Sequence, residues 1–285
     1  MKIEYKLNQD NFIKTIKNKT RIEDNVIDLS EIKFADIFGI LSLILMLREE
    51  YQKENKMTIY IPNNINVANY LHICGFIDYI KNYAEIKYNP FNLLSKLCNT
   101  NNNYTNKDYI PIQKIKCTND VDNILGKVRL WLEKRGVERR EISRIITLLL
   151  ELIGNALDHS ESEEGCLFAM QKYKNTLMIS VADFGVGINE SISRNTKFKD
   201  QFNNNEEIIQ YIFTEKNYIS GEEDDEGRGN GFFYLNKFTL ERKIPFTICT
   251  RECCYTSSFG RINNTRTSEK IYDLQGTHIN FHINL

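Results

Sequence analysis

Several features that would point to common protein classes are missing from this chain. Its 285 residues carry a net charge of only −1, so charge gives no reason to expect binding to nucleic acid or to an acidic membrane surface. The longest apolar run, residues 37–47, is too short to cross a bilayer, and the first residues lack the apolar core of a signal peptide. We therefore expect a cytoplasmic protein that contacts neither nucleic acid nor membrane.

The cysteines also lack an informative pattern. There are seven, with no pair spaced as zinc ligands or as a redox motif, and Cys253 and Cys254 are adjacent. This spacing predicts neither a disulfide framework nor a zinc site. It fits a reducing compartment.

A polar, asparagine-rich stretch at residues 98–108 divides the chain, because it cannot bury a core. We predict one domain at residues 1–97, a linker at 98–111 and a second domain at 112–285. In the first, strands at 26–29, 57–61 and 84–88 alternate with helices at 36–51 and 67–74, the latter ended by Gly75. Alternation of this kind predicts an α/β domain.

The second domain also reads as α/β. Helices are predicted at 120–135, 139–160 and 206–213 and from residue 231 onward, and strands at 166–172, 176–182, 245–250, 270–274 and 277–283. This order predicts helices on one face of a mixed sheet.

Four short motifs follow one another through the second domain. Each alone is weak, since similar runs occur by chance in many chains. The motifs are Glu151 with Asn155 and His159; Asp183 with Gly185 and Gly187; Gly227, Arg228, Gly229 and Gly231; and Gly276 with Thr277.

Glu151, Asn155 and His159 lie four residues apart on a predicted helix, so they share one face. One interpretation is an amphipathic helix whose polar side meets water. The functional interpretation is favoured because the stripe holds Glu, Asn and His rather than Lys and Arg.

Asp183 follows an apolar strand, and such an Asp often does no more than start a turn. Its carboxylate could instead accept a hydrogen bond from a ligand, and Gly185 and Gly187 would let the backbone turn closely with no Cβ in the way.

The glycines at 227, 229 and 231 precede an apolar helix, where free backbone N–H groups and the helix dipole favour phosphate. Arg228 adds a charge. The alternatives are a flexible loop before a core helix, or a Rossmann fingerprint. The latter is disfavoured because this motif does not follow the first strand of a βαβ unit.

Together and in this order, the motifs resemble the N, G1, G2 and G3 boxes of the GHKL ATP-binding superfamily. That superfamily includes histidine kinases, anti-sigma-factor serine kinases, type II topoisomerases and mismatch-repair ATPases. The resemblance covers residues 112–285. It implies a Bergerat-type α/β sandwich that binds ATP and Mg²⁺.

The resemblance also implies residue roles. Asn155 would hold Mg²⁺, Glu151 would be the general base, and Asp183 with Thr277 would fix the adenine. The remaining nucleotide-binding positions would be Gly185, Gly187, Gly227, Arg228, Gly229, Gly231 and Gly276. Residues 190–226 would form the ATP lid, whose acidic run 222–226 we expect to point away from the nucleotide or to contact a basic partner.

Within the superfamily, the Glu151, Asn155 and His159 spacing is most similar to anti-sigma serine kinases. No histidine has the setting of a histidine-kinase phosphoacceptor. The first domain resembles a STAS domain around residues 28–41 and 67–80. STAS domains carry Asp-Ser-Ser-Gly where this chain has Asp36, Ile37, Phe38 and Gly39, and Ile37 has no hydroxyl to accept phosphate. The alternative is an unrelated α/β domain.

Three functions therefore remain open. The first is a Mg-ATP-dependent serine/threonine kinase acting on a partner protein, such as a STAS-like antagonist, a sigma factor or another effector. The second is an ATPase switch without a protein acceptor. The third is a nucleotide-gated protein-binding module. The resemblance adds a homodimer as an expectation.

Overall fold

The computed structural model describes residues 1–17, 22–88, 108–158, 162–194, 202, 205–214, 231–258, 261–267 and 272–285. The helices are α1 (Gln9–Ile16), α2 (Ile37–Gln52), α3 (Ile65–Ile73), α4 (Phe76–Ile80), α5 (Thr118–Glu133), α6 (Arg139–Asp158), α7 (Ile188–Arg194), α8 (Asn205–Thr214) and α9 (Gly231–Arg242). The strands are β1 (Lys6–Leu7), β2 (Val26–Asp28), β3 (Phe34–Ala35), β4 (Met57–Tyr60), β5 (Ala84–Lys87), β6 (Tyr109–Ile115), β7 (Cys166–Tyr173), β8 (Thr176–Asp183), β9 (Phe246–Arg251), β10 (Cys253–Ser258), β11 (Arg261–Thr267) and β12 (Leu274–Asn284).

Within these residues, seven strands form one sheet in the order β11-β10-β9-β12-β8-β7-β6. Every neighbouring pair is antiparallel, so the prediction of a mixed sheet is wrong. Very short turns at residues 174–175 and at residue 252 join β7 to β8 and β9 to β10. Turns of this length can connect only antiparallel strands.

The first 88 residues build a separate parallel sheet, in the order β2-β4-β5, and a small parallel pair of β1 with β3. Helices α2 and α3 connect the parallel strands. The predicted α/β fold class is confirmed in both halves of the chain.

Helix α2 lies against the large sheet, where it contacts β7, β8 and β12, and also against β4 and α4. Its start is fixed by Asp36, whose carboxylate accepts a hydrogen bond of 2.8 Å from the Gly39 N–H. A Cβ on Gly39 would lie 2.6 Å from the carbonyl oxygen of Leu7, so the close approach of β1 requires glycine. Being covered from several sides, α2 also buries polar Ser42, Arg48 and Glu50.

The large sheet separates two apolar cores. One face packs on α5, α6, α8 and α9 through residues such as Phe168, Val181 and Ile279. The opposite face packs on the N-terminal layer, residues 1–88, through residues such as Leu167 and Ala182. Helices were predicted on one face only, and the second face is covered because α2 lies across it.

Most predicted helices and strands agree with the observed ones to within two residues. Of the predicted strand at 270–274, residues 270–271 lie outside the described residues, 272–273 are not in a strand and Leu274 begins β12, so this separate strand is not observed. Residues 109–111 of the predicted linker begin β6. Strands β1, β3, β6, β10 and β11 and helices α1, α4 and α7 were not predicted. None of the helices in the described ranges is both long and apolar enough to cross a membrane.

Candidate functional site

Alternation along β8 and β12 assigns their polar residues to the two faces of the large sheet. Ile179 and Val181 point to the α6 side, so Asp183 falls on that side as well. Ala182 and Phe184 belong to the core on the α2 side. In β12, Ile279 and Phe281 face α6, which puts Thr277 on the α6 side and His278 on the α2 side.

Asp183 ends β8 as a nearly buried carboxylate, 6% exposed. Its Oδ1 accepts a hydrogen bond of 2.8 Å from the Gly185 N–H, and Thr277 donates from both its backbone N–H and its hydroxyl. Burial raises the pKa of this carboxyl to about 7, although the hydrogen bonds oppose the rise. The side chain is therefore a buried acceptor surrounded by neutral donors.

Gly276 lets β12 approach Asp183. Its φ is +84°, and a Cβ at this position would lie 2.1 Å from the Asp183 carbonyl oxygen and 2.8 Å from its Oδ1. Both the backbone angle and the space require glycine. The structure thus brings together Asp183, Gly276 and Thr277, which are 93 and 94 positions apart in the sequence.

Thr250 in β9 holds the turn that follows Asp183. Its Oγ1 accepts a hydrogen bond of 2.9 Å from the Ile188 N–H at the start of α7, and Thr250 pairs directly with Thr277 in the sheet. Sequence reasoning missed Thr250, because a single threonine in an apolar strand carries no motif.

Glu151 and Asn155 lie on α6, on the same side of the sheet as Asp183 and Thr277. The helix buries its apolar stripe against the sheet and leaves both polar side chains half-buried. Burial raises the pKa of the Glu151 carboxyl, which makes it a better proton acceptor near neutral pH than an exposed Glu.

The third motif falls mostly outside the described residues. Gly227, Arg228 and Gly229 are not among them, nor are His159 and the acidic run at 222–226. Gly231 is the first residue of α9. Of the predicted lid, the structure describes α7, α8 and Phe202.

On the α2 side, the sheet carries a polar group that the sequence did not reveal. His278 is fully buried, its ring stacks on Phe38 with centroids 4.4 Å apart, and its Nδ1 lies 2.8 Å from the Ser42 Oγ. Burial lowers the pKa of His278 to about 3, so the imidazole is neutral at physiological pH.

Cys249 and Cys254 also belong to the α2-side core and form a disulfide between β9 and β10. The expectation that the cysteines form no disulfide is wrong for this pair. The two residues are only five apart in sequence, but they are directly opposed across the antiparallel strands. Cysteine spacing alone does not reveal such cross-strand pairs.

Whether Mg²⁺ and a nucleotide fit this site depends on the metal ligands and hydrogen-bonding groups that line it. Among the described residues, no cluster of three or more His, Cys, Asp or Glu is arranged to hold a metal. A site of the predicted kind needs no such cluster, because one amide oxygen from Asn155 would be completed by phosphate oxygens and water. The neutral donors around Asp183 suit an uncharged amino group better than a cation.

Comparisons with known proteins add little. No protein-family model and no curated protein matches the chain. Among solved structures, the chain is similar to the SiaB-SiaC complex from Pseudomonas aeruginosa, with a TM-score of 0.35 and 10% identity over 64% of this chain and 94% of that chain.

Proposed function

We propose that this protein binds Mg-ATP on the α6 side of its large sheet. The observation that carries the proposal is the buried Asp183 carboxylate, which accepts hydrogen bonds from Gly185 and Thr277 and has no cation against it among the described residues. A buried acceptor of this kind matches a neutral donor such as the adenine 6-amino group. The specificity of such a contact is high, because a ligand without the donor leaves the carboxylate unpaired.

The other roles are proposed from the motif order and, for Glu151 and Asn155, also from their position on α6. Asn155 would hold Mg²⁺ against the phosphates, and Glu151, one helical turn away, would accept a proton from the attacking water or hydroxyl. Gly227, Arg228, Gly229 and Gly231 would line the phosphates at the start of α9. Bound Mg-ATP would supply the phosphoryl group, and the residues of this chain would position that group and stabilise its charge.

We further propose that the reaction is phosphoryl transfer to a serine or threonine of a partner protein, as in anti-sigma-factor kinases. The N-terminal layer is not the acceptor in this proposal. At the start of α2, Ile37 lacks a hydroxyl, Phe38 is fully buried and Ser42 is fully buried against His278. The acceptor would therefore belong to another protein.

A second candidate, a nucleotide-gated binding module, has its own support. Helix α2 packs directly behind the strands that carry Asp183 and Thr277. Closure of the proposed site would thus be transmitted to the N-terminal layer without phosphoryl transfer.

Incubation with γ-labelled Mg-ATP tests these proposals. Wild-type protein, Glu151→Gln and Asn155→Ala are compared, with Glu133→Gln on the exposed end of α5 as the matched carboxylate control. The label is followed into solution and onto protein, in the presence of a cell lysate. Label on a protein, lost in both site variants, supports the kinase.

Free phosphate without labelled protein supports an ATPase switch, and bound nucleotide without either product supports the binding module. Asp183→Asn tests base recognition separately. The new amide N–H₂ would meet donors of Thr277, so we expect at least a roughly tenfold loss of ATP affinity. Failure of the wild-type protein to bind ATP at millimolar concentration would overturn the nucleotide proposal.

A further inference from the structure

Arg48 is a buried cation of α2 that neither the motifs nor the fold class anticipates. It is 6% exposed, and its guanidinium is held from several directions. The Nε donates to Glu164 Oε1 at 2.6 Å, and the Nη1 donates to Gln275 Oε1 at 2.6 Å and to Gln52 Oε1 at 3.0 Å. A buried arginine with this many partners has a defined position.

The contacts of Arg48 with Phe184 and Gln275 reach the segments that frame the Asp183 site. Arg48 Cζ lies 4.8 Å from the ring centroid of Phe184, the residue that directly follows Asp183. Gln275 directly precedes Gly276 and Thr277. One side chain from the N-terminal layer therefore contacts both the β8 end and the β12 start from behind the sheet.

The contact with Glu164 anchors the guanidinium to the turn before β7. Glu164 is shared by Arg48 and Lys114, whose Nζ donates to Oε2 at 3.0 Å. Burial alone would raise the pKa of Glu164, but the two cations outweigh it and lower the pKa. Lys114 also lies 5.8 Å from the Phe184 ring centroid, so the aromatic ring faces two cations.

Because side chains alternate between the two faces of a strand, contacts on the α2 side can restrain the backbone of residues that face α6. Asp183 and Phe184 are consecutive residues whose side chains fall on opposite sides of the sheet, so fixing the Phe184 ring restricts the backbone that carries Asp183. Gln275 lies where the pairing of β12 with β9 is irregular, and its hydrogen bond to Arg48 restricts the backbone that leads into Thr277. The two segments also approach each other closely, since a Cβ on Gly276 would lie 2.1 Å from the Asp183 carbonyl oxygen.

We propose that Arg48 is a positioning residue, which holds the Asp183 and Thr277 segments in register from the N-terminal layer and so couples that layer to base recognition. The role rests on the proposed nucleotide site. Arg48 itself touches no nucleotide and takes no part in phosphoryl transfer.

Hydrogen exchange of the free protein tests the positioning directly. Arg48→Met keeps the length of the side chain but removes its charge and hydrogen bonds. We expect amide exchange to speed up about tenfold in peptides that contain Gly185–Ile188 and Gln275–Thr277, with smaller changes elsewhere. Arg48→Lys, which keeps the charge near Phe184, should restore part of the protection.

Arg135→Met is the matched control. This arginine also stacks on an aromatic ring, that of Trp131 at 3.4 Å, and also pairs with a carboxylate, Asp108 at 3.5 Å, but it lies at the opposite end of β6 from the site. It should leave both segments unchanged. If Arg48→Met does not fold, Gln275→Met removes a single contact and should accelerate the same peptides.

Nucleotide affinity provides the second readout. Arg48→Met should weaken ATP and ADP binding by the same factor, about tenfold, because the effect falls on the base and not on the phosphates or the metal. Unchanged exchange at both segments together with unchanged affinity would overturn the role of Arg48. If wild-type protein binds no nucleotide, the proposed function fails, and the exchange experiment still decides whether Arg48 positions these segments.

Discussion

Ser42 and His278 are 236 positions apart, yet the Ser42 hydroxyl and the His278 Nδ1 lie 2.8 Å apart in the buried space between α2 and the large sheet. The His278 Nε2 has no hydrogen-bond partner among the described residues. Removing the hydroxyl leaves the buried imidazole without its observed partner. This contact therefore makes the packing of the N-terminal layer sensitive to a single oxygen atom.

Ser42→Ala should lower the free energy of unfolding by about 1–3 kcal/mol, the usual cost of an unsatisfied buried polar group. Urea unfolding at pH 7 measures this loss. The double variant with His278→Leu should lose less than the sum of the single variants, because both partners are then apolar. Strictly additive losses would show that the contact does not contribute.

Asp36 should make stability depend on pH. Burial raises its pKa from 3.8 to about 7, despite the opposing hydrogen bond from Gly39. A carboxyl with a raised folded-state pKa contributes stability that is fully present below pH 3.8 and is lost as the pH rises through about 7.

Asp36→Asn keeps the helix cap but cannot ionise. Relative to wild type, the variant should therefore gain about 2–3 kcal/mol of unfolding free energy between pH 5 and pH 7.5. Denaturant unfolding at the two pH values checks this. Asp183, with a similarly raised pKa, remains in both proteins, so the difference isolates Asp36. Parallel pH profiles would contradict the expectation.

Gly276→Ala should disrupt the Asp183 site. The added Cβ would lie 2.1 Å from the Asp183 carbonyl oxygen at a φ of +84°, so we expect a loss of more than about 2 kcal/mol. Gly126→Ala, in the interior of α5 with no atom within 4 Å of its new Cβ, should instead stabilise the protein by about 0.5–1 kcal/mol. Thermal unfolding distinguishes the two directions.

The Cys249–Cys254 disulfide closes a short hairpin, so its contribution should be modest. The chain-entropy relation for a loop of this length gives about 2 kcal/mol. Reduction with dithiothreitol should lower the unfolding free energy of wild-type protein by this amount and should leave the double variant Cys249→Ala with Cys254→Ala unchanged. Mass spectrometry of the untreated protein that finds both thiols free would contradict the pairing.

Local patterns made much of the fold predictable. The long apolar periodicity of α6 and the glycine that ends α3 are short-range signals, and both lead to the observed boundaries. Strand β11 was missed because Arg261–Thr267 is almost entirely polar, so it lacks the alternation that identifies a half-buried strand.

The site residues also differ in whether a local sequence pattern reveals them. Asp183 and Gly276 belong to motifs that stand out in the sequence, whereas Thr250 and Arg48 depend on pairing between distant segments. Arg48 on an apolar helix would ordinarily be expected at the surface. Its burial follows from Glu164 and Gln275, which lie 116 and 227 positions away, and no local pattern records such partners.

The sheet that separates the two cores limits how far the chain can be treated as modular. A fragment beginning at residue 108 would keep the proposed nucleotide side but would expose the apolar surface around Leu167 and Ala182. The N-terminal layer, expressed alone, would likewise present buried Phe38 and Leu45 to water. Separating the halves or exchanging one of them would therefore expose apolar surface and lower solubility. Substitutions in either half are limited by the need to pack against the other.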